Sequence, residues 1–116
     1  MYGERILKEL KAELIMNKEL VSVINNLLAK NPWNGSFGGA SYFIGYIARI
    51  EVNDSVEIYV KYKDKGTWKE VTVEELFEKE AGAYSPTRAR EVYILPFKAR
   101  IKSLIKRAKK ERDING

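Results

Sequence analysis

From residue 3 to residue 30, apolar side chains recur at alternating spacings of three and four. The series is Leu7, Leu10, Leu14, Val21, Ile24 and Leu28, with Asn17 as its polar member. This is a heptad seam and predicts helix over residues 3–30. One unbroken helix of that length would run about 42 Å, longer than a small domain is wide. Two arrangements resolve the conflict. The chain can break near Asn17, which would then cap a second helix starting at Lys18. Alternatively the seam Leu7, Leu10, Leu14, Val21, Ile24, Leu28 joins two copies as a homodimer, with Asn17 fixing register. The break is the favoured reading.

Asn31-Pro32 ends the helical pattern, because proline disfavours helical geometry at the residue before it. Residues 34–41 read as a Gly-rich flexible connector behind Trp33, with Phe37 inside it. It precedes a strand and lacks a following Gly-Lys-Ser/Thr, so it does not read as a phosphate-binding loop. The period then switches to two. Strands are expected over 42–52, 56–63 and 67–71, with turns at Asn53-Asp54-Ser55 and Lys65-Gly66. Side-chain matching sets Ile50 opposite Ile58, Ala48 opposite Val60, Tyr46 opposite Tyr62, Val60 opposite Val71 and Lys61 opposite Glu70. The core face is then Tyr46, Ala48, Ile50, Ile58, Val60, Tyr62 and Val71. Phe43, Ile47, Arg49, Tyr59, Lys61, Lys63, Trp68 and Glu70 take the other face, and the pattern leaves open whether helices cover it.

Thr72-Val73-Glu74-Glu75 matches a capping box, so a short helix is expected from Val73 to about Ala81, stopped by Gly82. Residues 83–91 read as a connector in which Ser85-Pro86 can cap a turn. Val92 to Leu95 reads as a short fourth strand. A last helix follows Pro96, from about Phe97 to Arg112, with Phe97, Ile101, Leu104, Ile105 and Ala108 on one stripe. The expected fold is α+β in a single domain, residues 1–116. It comprises an N-terminal helix, a three- to four-stranded antiparallel meander, a short helix and a basic C-terminal helix.

Composition narrows the chemistry. The 116 residues include no Cys and no His. Disulfides, thiolate metal sites, thiol nucleophiles and a His general base are therefore excluded. Ser85 and the other hydroxyls lack a base, and Glu51, Asp54 and Glu57 read as a polar turn rather than a cation site. The expectation is a non-enzyme with no metal and no cofactor. No run of 18 apolar residues marks a helical membrane span, and no secretory core opens the chain, which points to an intracellular, cytoplasmic protein. The lack of Gln beside abundant Lys and Glu suggests a thermophile, an archaeon or one of its viruses, although seven Asn argue the other way.

Charge supplies the functional reading. Residues 96–113 carry eight basic and two acidic side chains, a net of +6, while the remaining 13 basic and 14 acidic residues sum to −1. Such a basic helix is an electrostatic footprint for phosphates. Lys102, Lys106, Arg107, Lys109 and Lys110 are the candidate phosphate contacts. Tyr59 and Trp68, among Arg49, Lys61 and Lys63, are candidates for stacking unpaired bases. The expected function is binding of single-stranded DNA or RNA. In general layout, though in no shared motif, this is similar to the small single-strand-binding proteins of thermophilic archaea that do not use the OB fold. The alternative is a homodimeric structural or adaptor protein, of the viral kind, built on the Leu7–Leu28 seam and the aromatic loop 33–43.

Overall fold

A computed structural model describes residues 3–38, 45–81 and 85–115. The N-terminal heptad pattern folds as two helices, α1 (Glu4–Met16) and α2 (Val21–Lys30), joined by a 3₁₀ turn at Lys18–Leu20. The break falls at Asn17, as expected, but the side chain does not cap the second helix. Its Nδ2 donates to the Glu13 carbonyl at 2.8 Å, so Asn17 closes the end of α1 instead. Because the chain bends here, both halves of the seam reach the same core. Leu7, Leu10, Leu14, Val21, Ile24 and Leu28 are all buried within this one chain. The homodimer expected through those six residues is thereby corrected, since side chains already packed inside cannot also face a second copy.

Four antiparallel strands follow in the order β1-β2-β3-β4: β1 (Ser36–Phe37), β2 (Gly45–Val52), β3 (Val56–Asp64) and β4 (Thr67–Thr72). The β3–β4 pairing has the expected register, with Val60 opposite Val71 and Lys61 opposite Glu70. Lys65 and Gly66 turn the chain with φ of 51° and 82°. Two consecutive left-handed residues match the right-handed twist of a hairpin. Between β2 and β3, Ile50 faces Ile58 as expected, but the register shifts between Ile47 and Arg49. The extra residue, Ala48, makes a bulge. Ile47 then pairs with Val60 inside the core, and Tyr46 moves to the outer face opposite Lys61. A strict period of two forces Ile47 and Arg49 onto one face, so either an isoleucine is exposed or an arginine buried. The bulge removes that conflict. Residues 42–44 of the expected first strand, including Phe43, lie outside the described residues, as does the Gly82 stop.

The fourth strand is Ser36–Phe37, not Val92–Leu95. Phe37 is buried with its ring 5.3 Å from Phe97, so this part of the connector is anchored to the core. Val92, Tyr93 and Ile94 are helical and all buried. An apolar run with no polar alternation reads alike for a strand and a buried helix. The helical path begins at α4 (Pro86–Ala89), where Ser85 Oγ accepts the Arg88 N–H at 3.2 Å. It continues through a π turn at Arg90–Ile94 into α5 (Leu95–Asn115). Pro96 therefore sits inside the helix rather than before it. The Leu95 N–H bonds to the Arg90 carbonyl five residues back. This wider turn lies immediately ahead of a residue that has no N–H to give and whose ring crowds the preceding turn. At 1.5 Å per residue the path from Pro86 to Asn115 runs about 45 Å, which matches the 44 Å long dimension of the molecule.

α3 (Val73–Ala81) starts where the capping box predicts, with Thr72 Oγ accepting the Glu75 N–H at 3.3 Å. Helices α1, α2, α3 and α5 pack on the face of the sheet that carries Ile47, Ile50, Ile58 and Val60. Phe77 ties α3 to the C-terminal helical path, with its ring 5.7 Å from Phe97 and 5.5 Å from Tyr93. Since β1 is only two residues long, β2 has no strand on its side away from β3 beyond Tyr46 among the described residues. Asn25 of α2 takes that place. Its Nδ2 donates to the Ile50 carbonyl and its Oδ1 accepts the Ile50 N–H, both at 2.9 Å.

Two stability outcomes follow from the β2 edge. Asn25→Leu leaves both Ile50 backbone groups without their partner, and it should cost about 2–3 kcal/mol. Thermal denaturation would register that as a Tm lower by about 10 °C; an unchanged Tm would sink the claim. A Cβ on Gly35 would lie 2.4 Å from the Ile47 carbonyl oxygen and 2.9 Å from its nitrogen. Gly35→Ala should therefore push the Pro32–Gly35 turn off β2 and destabilise by at least about 2 kcal/mol, as overpacking against backbone does. Denaturant titration measures this directly.

Candidate nucleic-acid interface

The apolar stripe of α5 is consumed by the core: Phe97, Ile101, Leu104, Ile105 and Ala108 are all buried. With 3.6 residues per turn, Lys98, Lys102, Lys106, Lys109 and Lys110 fall within an arc of about 120° on one flank. Arg100 and Arg107 lie on the other flank. Because α4 and the π turn join α5, the full helical path from residue 86 to 115 holds ten basic and three acidic residues, a net of +7. The rest of the chain, with 11 basic and 13 acidic residues, sums to −2. The continuous helical path is thus one charge more basic than the segment 96–113 alone.

Some of those charges are already engaged. Lys102 pairs with Glu13 of α1 at 3.3 Å, and Arg112 pairs with Glu19 at 3.4 Å. Both pairs are partly exposed, so they hold their cations weakly. Lys106, Lys109 and Lys110 are exposed and form no ion pair among the described residues. Arg107 donates to the Asn34 side-chain oxygen at 3.0 Å, a neutral partner that leaves its charge uncompensated. Arg100 donates from Nε to the Ser36 carbonyl at 2.7 Å. The free positive charge concentrates on the C-terminal half of α5.

The outer face of the sheet, opposite the helical layer, is open among the described residues. Here the geometry differs from the expected stacking pair. Tyr59 lies opposite Thr72, whereas Trp68 lies opposite Lys63. Trp68 instead packs on Tyr46, with centroids 5.3 Å apart and planes tilted by 56°. The bulge at Ala48 brought Tyr46 there. The Tyr59 ring carries the Arg49 guanidinium 4.0 Å from its centre. Arg49 also donates to Glu70 at 2.7 Å and to Glu51 at 3.2 Å. Its pKa is pushed further up, first by the hydrogen bond to Glu51. Lys61 and Lys63 stand on the same face. Arg49, Lys61 and Lys63 are balanced by Glu51, Glu57 and Glu70, so this face is aromatic but close to neutral. At the hairpin end, Asp64 accepts from both Lys69 and Lys79 at 3.1 Å.

The ten residues expected to bind nucleic acid therefore form two surfaces. Lys102, Lys106, Arg107, Lys109 and Lys110 lie in the helical layer; Arg49, Tyr59, Lys61, Lys63 and Trp68 lie on the far side of the sheet. The sequence reading missed Arg100, Asn34 and the exposure of Trp33. A signal for this region was present, since no Asp or Glu occurs between Leu20 and Ile50. Among the described residues, no group of three His, Cys, Asp or Glu could hold a metal ion. No helix there is long and apolar enough to cross a membrane.

Tyr59 offers a local check of the sheet face. Its hydroxyl donates to Glu57 at 2.6 Å. That bond, then desolvation and the nearby Glu51, pushes its pKa up from 10.0 to about 12. The fold therefore favours the neutral phenol. Its contribution is present below the free value of 10 and is lost as pH rises towards 12. In an NMR titration of ring-labelled tyrosine, Tyr59 should titrate late, and Glu57→Gln should move it back towards 10. A Tyr59 that titrates normally in the unchanged protein would contradict the contact. No family model, curated protein or solved structure matches this chain, so its functional reading rests on the two surfaces themselves.

Proposed function

We propose that this protein is a non-enzymatic nucleic-acid-binding protein that takes single-stranded DNA or RNA along α5. The observation that carries the reading is the exposed cluster of Lys106, Arg107, Lys109 and Lys110, on a helix whose apolar side is fully used in the core. Four cations within about two turns, facing few carboxylates, attract a polyanion and gain affinity by releasing its counterions. Lys98 and Lys102 extend the same flank towards α1. The open sheet face plays a lesser part, because its charge is balanced. Lys61 and Lys63, with Trp68 on Tyr46, offer a second contact for a strand long enough to pass around the molecule. An intracellular, cytoplasmic location goes with this reading.

Fluorescence anisotropy with labelled single-stranded DNA, duplex DNA and RNA, titrated across salt, tests the reading. Binding should weaken steeply with salt, with a log–log slope of about 0.7 per phosphate contacted on a single strand. Replacing Lys106, Lys109 and Lys110 together by Ser should lower that slope by about 2. Lys61→Ser with Lys63→Ser should change it less. If none of the three nucleic acids binds even at about 20 mM salt, where screening is weak, the proposal is wrong.

A further inference from the structure

Trp33 is 61% exposed, more than the other tryptophan, Trp68, at 42%. Its exposure is imposed by a stiff backbone. Residues Pro32–Gly35 form a 3₁₀ turn behind α2. The Trp33 N–H donates to the Asn31 side-chain oxygen at 3.1 Å, and the Asn34 N–H donates to the Asn31 carbonyl at 2.9 Å. Asn34 Nδ2 donates to the Leu27 carbonyl at 2.7 Å. Pro32 restricts the turn at its start and the buried Gly35 locks it against β2. An indole held out this way loses little backbone freedom when a ligand covers it.

The surroundings are cationic. Asn34, the next residue, is the partner of Arg107, which places the indole's turn directly against the basic half of α5. Lys110, at the edge of the lysine flank nearest Arg107, lies one turn beyond it, and Lys30 ends α2 just before the turn. The carboxylate on this flank of α5 is Glu111, half-buried, one turn from Arg107. About 10 Å back along the helix, Arg100 borders a shallow hollow of about 410 Å³, lined also by Ser36, Gly38 and Ser103. An exposed aromatic on a turn that meets such cations suits a base with its flanking phosphates.

Resting on the proposed function, we infer that Trp33 is the stacking platform of the α5 interface, taking an unpaired nucleobase while Arg107 and Lys110 hold the adjacent phosphates. The ligand is then single-stranded, because the bases of a duplex are stacked on one another and cannot reach an indole. The rigid turn supplies position, the arginine supplies charge, and the neutral contact through Asn34 keeps the two in register.

The two tryptophans allow a direct test. Trp68→Phe leaves Trp33 as the sole indole, and Trp33→Phe leaves Trp68. A labelled oligothymidylate of about 15 nucleotides, within the range one small domain covers, reports binding by anisotropy independently of indole emission. Saturation should quench the emission of Trp68→Phe strongly and that of Trp33→Phe weakly, and a duplex of equal length should quench neither. Trp33→Ala should weaken binding about 5- to 150-fold, the equivalent of one stacked base, with an unchanged salt slope. Salt-dependent binding with unquenched Trp33 emission overturns the platform but leaves the function standing. No anisotropy change with any variant or with the unaltered protein removes the function itself.

Discussion

The fold hinges on how the free side of β2 is satisfied. A strand with unpaired backbone groups on one side must find partners or remain a docking edge. Here β1 supplies only two residues, and the side-chain amide of Asn25 acts as a strand in miniature, both donating to and accepting from Ile50. That contact joins α2 to the sheet at a fixed height. From there Leu28 and Gly35 settle against β2, and the Pro32–Gly35 turn meets α5 through Asn34 and Arg107. The turn that carries Trp33 is thus held between β2 and α5.

A second constraint is the single extra residue at Ala48. It lets Ile47 and Ile50 both enter the core while Arg49 stays outside. In doing so it carries Tyr46 to the outer face and next to Trp68. The outer face acquires three aromatic rings and a balanced set of charges knitted by Arg49. The helical layer has the opposite character, with the apolar stripe of α5 buried and its net charge concentrated at one end. Under the proposed function, phosphate attraction is assigned to α5 and the sheet to an auxiliary surface. Long-range attraction depends on uncompensated charge, which the carboxylates around Arg49 remove locally.

Local chemistry was legible where neighbouring residues decide the outcome. The capping box at Thr72, the Lys65-Gly66 turn, the β3–β4 register and the buried stripe of α5 all depend on residues within a few positions of one another. The apolar run at Val92–Leu95 was not legible, because burial on every side erases the periodicity that separates helix from strand. Pro96 reinforced the wrong reading, since a π turn that accommodates a proline leaves no mark in the hydrophobic pattern. The partner of Trp68 was hidden for a related reason: one bulge in β2 reverses the side chains beyond it and brings Tyr46, rather than Tyr59, to the indole.

By itself, then, the sequence determined the class of the fold, the break at Asn17, the meander and the charge asymmetry, since each follows from spacing, turn chemistry or composition. Tertiary structure decided which cations are spent on Glu13 and Glu19, which aromatic meets Trp68, and that Trp33 stands exposed next to Asn34, the partner of Arg107. Those outcomes depend on residues tens of positions apart, brought together by packing. Propensity and periodicity act over a few residues and carry no information about such pairs.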